Sequence, residues 1–152
     1  MGGSFDVFDH MKQPRFKVKG SFELLGLKLE ILDLQKPGNQ TVCHITSSAS
    51  QALSFTPKVK IKQGGQLVAT VKQEMSFMTP KFKITLADGQ KMKLKGNWLK
   101  HNYTIIHPSK GDVVKIKLAM DWSDAYNVYI QPGQDIVLAI AYAIVVDKMA
   151  KG

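Results

Sequence analysis

The chain has few of the residues that form covalent or metal cross-links. Its 152 residues contain one cysteine, Cys43, and one arginine, Arg15. A single cysteine cannot form an intramolecular disulfide or a thiolate metal cluster, which favours a reducing compartment. The first sixteen residues contain no apolar run of signal-peptide length. We therefore expect a cytoplasmic protein, and the length predicts a single domain over residues 1–152, with residues 1–14 expected to be flexible.

Acidic residues are scarce in the middle of the chain. Residues 51–120 hold thirteen lysines and three acidic residues, a net charge of +10, whereas the remainder holds eight basic and nine acidic residues, a net charge of −1. A basic segment of this kind favours an anionic partner such as a phospholipid surface or nucleic acid. The alternative is that the lysines form a solvated face that only keeps the protein soluble.

The sequence also lacks the patterns that mark catalytic and metal sites. Its four histidines are scattered with no i, i+4 pair, and it contains no nucleophile elbow and no phosphate-binding glycine loop. Cys43 and His44 are adjacent on an alternating segment, so they should point to opposite faces and cannot act together. Asp121 and Asp124 could bind a sugar or metal, but a loop at a strand end is the preferred interpretation. We expect no enzyme activity, no cofactor and no metal site.

What the sequence does contain is alternation. Apolar and polar residues alternate in five segments, which is typical of strands with one buried face: FKVKGSF, KVKIK, KFKITL, KMKLKGNW and KIKLAM. Turn residues separate the segments, and ADGQ between Leu86 and Lys91 is the strongest hairpin. The spacing predicts about ten strands in a sandwich or barrel.

One strand–bend–strand unit occurs twice. The segment 18–31 aligns with 71–84 without a gap, matching Lys19 with Lys72 and placing apolar residues at equivalent positions. A third, looser copy begins at KGNW. Because the spacings do not form one fixed period, we interpret this as reuse of a unit and not as a solenoid.

The longest apolar run lies at the end of the chain, from Ile136 to Val146. It predicts a helix over 135–149, within a segment 134–149, with Asp135 at its start. The apolar part would be about 16 Å long, which is too short for a hydrocarbon core of about 30 Å. A helix that is apolar on all sides must be enclosed. The predicted fold is therefore mainly β: a closed antiparallel β-barrel of about 10–12 strands around one central apolar C-terminal helix.

Four longer segments, in their order along the chain, resemble the tubby C-terminal-like superfamily and, within it, the LURP-one-related proteins. Phospholipid scramblases are more distant. They are LVATVKQEMSFMTPKFKI, DGQKMKLKGNWLKHNYTI, GDVVKIKLAMDWSDAYNVYI and QDIVLAIAYAIVVDKM. The resemblance covers Phe16 to Met149 and implies a twelve-stranded barrel around a central helix. Tubby proteins bind phosphoinositides, but none of their head-group residues matches a position here, so no site carries over.

Two functions of different class follow. The first is a non-enzymatic module that binds anionic phospholipid or phosphoinositide head groups at the inner membrane surface. It would bind through two groups of lysines, one on each of two segments: Lys58, Lys60, Lys62, Lys91, Lys93 and Lys95. The second is a scaffold or protein-interaction domain without a small-ligand site. Nucleic-acid binding ranks behind both, because few aromatic residues are interleaved with the lysines. Whether the two groups of lysines lie close together in space decides between these hypotheses.

Overall fold

A computed structural model describes residues 2–23, 26–47, 58–75, 80–97, 102–118 and 126–151. These residues form eleven strands and one helix: β1 (Gly2–Phe8), β2 (Pro14–Glu23), β3 (Gly26–Asp33), β4 (Thr41–Thr46), β5 (Lys58–Gln63), β6 (Gln66–Met75), β7 (Pro80–Leu86), β8 (Lys91–Asn97), β9 (Asn102–His107), β10 (Gly111–Leu118), β11 (Tyr126–Ile130) and α1 (Ile136–Lys151). The prediction of a mainly β protein with a C-terminal helix is confirmed.

Each strand pairs with the next strand along the chain, so that one antiparallel sheet runs from β1 to β11 in sequence order. Short turns make this order possible. The predicted ADGQ hairpin joins β7 and β8, where the Leu86 N–H donates to the carbonyl of Gln90 and Gly89 adopts a φ of 87°. A positive φ of this kind suits glycine, which has no Cβ to clash.

The alternation seen in the sequence becomes an inner and an outer face of the sheet. Val59 and Ile61 on β5, and Phe82 and Ile84 on β7, are all buried, whereas the lysines between them are exposed. The inner side chains of the strands join those of α1 in one hydrophobic core. Burial of this apolar surface is the main force that holds the sheet around the helix.

The middle of helix α1 is buried on all sides. The eight consecutive residues from Ala139 to Val146 are buried, and they cover every direction around the helix axis. The helix contacts β4 and β6 and also β11, which four strands separate from β6 in the strand order, so the sheet must curve around it. Within the described residues, no helix is long and apolar enough to cross a membrane.

The start of α1 follows the prediction. The carboxylate oxygen Oδ1 of Asp135 accepts a hydrogen bond of 3.0 Å from the N–H of Leu138. This contact satisfies one of the free N–H groups of the first turn, which makes Asp135 the N-cap residue. The helix begins one residue after Asp135 and extends two residues beyond the predicted end at Met149.

The strand pairings of the described residues do not close the sheet into a barrel. The sheet order ends at β1 and β11, and these two strands are not paired with each other in the described part of the chain. Strand β1, for which the sequence shows little alternation, lies within residues 1–14 and pairs with β2 over its whole length. The flexibility expected for that segment stays a prediction, as does closure of the sheet.

Candidate functional site

All six lysines singled out from the sequence are exposed on the outer face of the sheet. Lys58, Lys60 and Lys62 alternate with the buried Val59 and Ile61 on β5. On β8, the side chain of Met92 is buried, whereas Lys91, Lys93 and Lys95 are exposed. The two groups are separated by β6 and β7, which is about 14 Å at the usual spacing of neighbouring strands.

Two further lysines fill the gap between these groups. Lys58 is the register partner of Lys72 on β6, Lys72 is the partner of Lys83 on β7, and Lys83 is the partner of Lys93 on β8. We call these four residues the lysine row. Directly opposed residues have Cβ atoms about 4.5–5.5 Å apart. The two predicted groups are therefore parts of one continuous surface, and sequence reasoning missed the two residues that connect them.

A second row runs beside the first, two residues along each strand. It crosses the same four strands as Lys60, Thr70, Thr85 and Lys91. Threonine hydroxyls donate hydrogen bonds, so this row adds neutral donors between two cations. Together the outward lysines of β5–β8 form a surface that we call the basic face: Lys58, Lys60, Lys62, Lys72, Lys81, Lys83, Lys91, Lys93 and Lys95.

One acidic side chain, Glu74, interrupts the basic face. Its carboxylate lies 3.4 Å from the Lys83 ammonium, and both side chains are partly exposed. A pair of this kind contributes at most about 1 kcal/mol. Like charges placed directly opposite each other destabilise a sheet by a similar amount per pair. The row contains three such pairs, so one ion pair offsets only part of their repulsion.

The single arginine lies outside the basic face. Arg15 forms an ion pair with the buried Asp33, whose carboxylate also accepts a hydrogen bond from the N–H of Gln35. The Arg15 guanidinium also lies over the ring of Phe16, 4.3 Å from its centroid. These contacts tie β2 to the end of β3, so Arg15 stabilises the fold locally. The basic face consequently contains lysine ammonium groups without the planar guanidinium fork that recognises phosphate in two-point contacts.

Burial, together with the carboxylate of Asp135, raises the pKa values of two interior groups, the Cys43 thiol and the Tyr142 hydroxyl. Cys43 is fully buried, and burial together with the charge of Asp135 raises the pKa of its thiol from 9.0 to about 12. Burial and the same carboxylate also raise the pKa of the Tyr142 hydroxyl. As predicted, Cys43 lies in the core while His44 points outward, 3.4 Å from Glu30. Neither the Cys43 thiol nor the Tyr142 hydroxyl is a reactive nucleophile at neutral pH.

The hydroxyl of Tyr142 has no hydrogen-bond partner among the described residues. Leaving a buried hydroxyl unpaired costs about 1–3 kcal/mol. The ring lines a pocket of about 200 Å³ at the end of the sheet where α1 begins. This pocket was not predicted from the sequence, because its walls come from three segments that are distant along the chain.

The described residues contain no group of three or more histidine, cysteine, aspartate or glutamate side chains that could hold a metal ion. His10, His44 and His107 are separated on the fold, and His107 is held by hydrogen bonds from Ser109 and from the N–H of Lys110. The acidic pair Asp121 and Asp124 lies outside the described residues.

Comparison with known proteins places the chain in a sequence family. A family model described as LURP-one-related matches residues 1–147. The chain is also similar to the uncharacterized protein YxjI of Bacillus subtilis (strain 168), with 28% identity over 147 residues, which is 95% of this chain and 83% of that protein. No solved structure matches the chain.

Proposed function

The chain belongs to the LURP-one-related family, and from this premise we propose that it is a non-enzymatic module that binds anionic phospholipid surfaces through the basic face. The single observation that carries the proposal is the lysine row, in which four exposed lysines are direct neighbours on four adjacent strands. Repulsion within the row is relieved when an anionic partner lies against it. Each lysine close to an anionic membrane adds about 1 kcal/mol to binding.

The chemistry of the face favours a charged surface over one tightly held head group. Its cations are lysines, which act as point charges, and they lie on the outside of a sheet that curves around α1. The resemblance to tubby proteins, which bind phosphoinositides, supports the same class of ligand. The proposed location is the cytoplasm, with peripheral attachment to the inner surface of the membrane.

Vesicle flotation tests this proposal. We expect the protein to float with vesicles that contain phosphatidylserine or a phosphoinositide and to remain unbound with pure phosphatidylcholine. The double variant Lys72→Gln, Lys83→Gln removes the centre of the lysine row. Loss of two contacts of about 1 kcal/mol each should weaken binding by about 30-fold.

The matched control removes the same charge from the other half of the sheet. Lys19 and Lys28 are exposed on β2 and β3, where Lys19 faces Glu30 and Lys28 faces Thr46. The variant Lys19→Gln, Lys28→Gln should keep most of the binding, because its charges lie outside the basic face. Equal binding to neutral and anionic vesicles, or equal loss in the two double variants, would reject the proposal.

A protein-interaction domain is the second candidate, and the end of the sheet at β1 favours it. Phe5 and Phe8 on β1 are 43% and 56% exposed, and Met11 beyond it is 67% exposed. An end strand with exposed apolar side chains is a template for pairing with another chain. Sedimentation of the purified protein tests this candidate, which predicts a dimer that Phe5→Lys converts to a monomer.

The closed barrel competes for the same strand edge, and we propose it as the finer description of the fold. The all-round burial of α1 supports closure, because an open sheet would leave one side of the helix wet. Nuclear Overhauser contacts between backbone protons of β1 and β11 in the monomer would establish closure. Their absence, together with a dimer that pairs through β1, would favour the interaction domain.

A further inference from the structure

The pocket at the start of α1 lies apart from the basic face and shares no residue with it. Its walls are the β7–β8 turn, the β9–β10 turn, parts of the strands beside them and the first two turns of the helix. Its volume of about 200 Å³ suits a molecule much smaller than a lipid. A ligand of this pocket would therefore differ from the partner proposed for the basic face.

The buried residues of the pocket are almost entirely apolar. We call the lining residues with buried side chains the floor and the other lining residues the rim. The floor consists of Met92, His107, Val114, Ala139 and Tyr142. Because the Tyr142 hydroxyl is fully enclosed, only the ring of that residue is available to a ligand. His107 is therefore the one side chain of the described floor that can offer a hydrogen-bond donor.

The β9–β10 turn fixes which nitrogen of His107 is the donor. His107 ends β9, where the alternation of the strand turns its ring inward together with Tyr103 and Ile105. Its Nδ1 accepts hydrogen bonds from the backbone N–H groups of Ser109, at 3.1 Å, and Lys110, at 3.2 Å. A backbone N–H can only donate, so Nδ1 carries no proton and the ring proton is on Nε2.

The Nε2–H group of His107 is free to bind a ligand. It has no hydrogen-bond partner among the described residues, and unlike the Tyr142 hydroxyl it is not fully enclosed. The residue is 7% exposed and lines the pocket, so the pocket is the space that this donor can reach. A donor beside a cavity is normally paired by what the cavity contains, either water or a ligand.

The charges of the pocket favour a neutral ligand. They lie on exposed rim residues, where the carboxylates of Asp88 and Asp135 and the ammonium group of Lys110 give a net charge of −1. An anion would meet two carboxylates, and that of Asp135, which caps α1, also offsets the positive end of the helix dipole. A cation would meet the His107 donor and apolar side chains in the floor, where no carboxylate could pair it.

We propose that this pocket binds a small neutral molecule with a carbonyl group, such as a simple amide or ketone. The carbonyl oxygen accepts a hydrogen bond from Nε2 of His107, and the apolar part of the molecule packs against Met92, Val114 and Ala139. Binding thereby pairs the free donor of the floor and removes apolar surface from water. This site is independent of the membrane-binding proposal, since it shares no residue with the basic face.

Titration of the full-length, ¹⁵N-labelled protein near neutral pH with three probes of equal size tests the inference. The probes share one carbon skeleton: isobutyramide is neutral, isobutyrate is anionic and the isobutyramidinium ion is cationic. We expect saturable shifts of the backbone amides of 134–139, Ser109 and Lys110 with isobutyramide, with a dissociation constant in the millimolar range. Both ions should bind at least about tenfold more weakly, because the floor compensates neither charge.

The ring nitrogens of His107 give a readout that needs no substitution. Correlation of the carbon-bound ring protons with the ring nitrogens should show a protonated Nε2 in the unliganded protein. During the titration with isobutyramide, the Nε2 signal should shift with the same dissociation constant as the backbone amides. The ring of His44, which is about half exposed on the outer face, should not shift.

One variant and a matched control locate the hydrogen bond. In His107→Asn, the side-chain oxygen can accept from the same two backbone N–H groups, as in an Asx-turn, but the side chain is too short to place a donor where Nε2 lies. We expect isobutyramide to bind about fivefold more weakly, as for the loss of one neutral hydrogen bond. The same substitution on the outer face, His44→Asn, should bind as the wild type does.

Any of four results would overturn the inference. The first is the absence of saturable shifts with isobutyramide up to tens of millimolar, which would leave water as the content of the pocket. The second is binding of either ion as tight as that of isobutyramide. The third is an unchanged Nε2 signal of His107 in the saturated wild type, which decides the question if His107→Asn does not fold. The fourth is unchanged affinity in a folded His107→Asn variant.

Discussion

The strand pairs β2–β3 and β6–β7 have similar apolar residues on their buried face and different charges on their outer face. When 18–31 is aligned with 71–84, the buried Val18 and Ile31 correspond to the buried Val71 and Ile84. On the outer face of the first pair, Lys19 is opposite Glu30. At the equivalent positions of the second pair, Lys72 is opposite Lys83.

This difference indicates that the outer positions of the sheet, and not the inner ones, are free to adapt to a binding partner. The inner residues of both pairs pack in the same core, so they are restricted to apolar side chains of suitable volume. The outer positions have no such restriction, and a lysine at position 83 replaces the attraction found in the first pair with repulsion. Lys83 gains one partly exposed ion pair with Glu74 but lies opposite two other lysines, Lys72 and Lys93, and this arrangement fits a surface that meets an anionic partner.

The largest effect should come from breaking the shared interior. Ala141 in the middle of α1 is fully buried, and Ala141→Asp places a charge there with no described basic group on the helix turn beside it. An unpaired buried charge costs several kcal/mol, which is comparable to the stability of a whole domain. We expect loss of folded structure in both halves, measured by circular dichroism.

The control for this variant is on the same helix. Ile136 is 53% exposed in the first turn, where an acidic side chain interacts favourably with the helix dipole. Ile136→Asp should therefore fold and melt close to the wild type. A folded Ala141→Asp variant would contradict the enclosed position of α1.

A smaller effect on the same interior should appear at alkaline pH. Burial and the charge of Asp135 raise the pKa of Cys43 from 9.0 to about 12, so between these values the thiol ionises in the unfolded state but not in the folded state. The contribution of this thiol to stability is fully present below pH 9. As the pH rises further, the free energy of unfolding falls by at most about 1.4 kcal/mol per pH unit because of this group. Urea unfolding at about pH 8 and about pH 10 measures the loss.

The variant Cys43→Ala isolates the contribution of the thiol. It should be less stable than the wild type at about pH 8 because it leaves a small cavity, but its stability should decline less between the two pH values. Buried tyrosines contribute to the decline in both proteins, so the difference in slope is the relevant quantity. Identical slopes would show that the thiol titrates normally in the folded protein.

The smallest effect on stability should come from the outer face. Lys83→Glu converts the second strand pair to the charge pattern of the first, placing a glutamate opposite Lys72 and beside Glu74. Because these groups are partly exposed, we expect the free energy of unfolding to change by less than about 1 kcal/mol. A larger change in chemical denaturation would mean that Lys83 stabilises the fold and is not free to vary.

The extent to which the molecule could be predicted differs between its parts. Strict alternation identified β5, β7 and β8, and an uncharged run with an acidic cap identified α1, because these patterns follow from local geometry. Closure of the sheet depends on where β1 and β11 lie in space, and neither strand's sequence determines that.

The candidate sites show the same division. The six lysines of β5 and β8 could be identified because each alternates with buried residues. Lys72 and Lys83 could be recognised as their link only from the register of neighbouring strands, since a shift of one residue would turn a lysine to the other face. The pocket beside Tyr142 depends on the meeting of two turns and a helix start, which no local pattern encodes.

The most direct test of the membrane-binding proposal exchanges the residues that distinguish the two strand pairs. The double variant Glu30→Lys, Lys83→Glu keeps the composition and net charge of the protein and moves the like-charge pair from β6–β7 to β2–β3. In flotation with phosphatidylserine vesicles, we expect binding at least about tenfold weaker than that of the wild type, since the basic face loses one lysine and gains an acid. Unchanged binding would mean that net charge alone drives association, and would contradict the assignment of the site to the basic face.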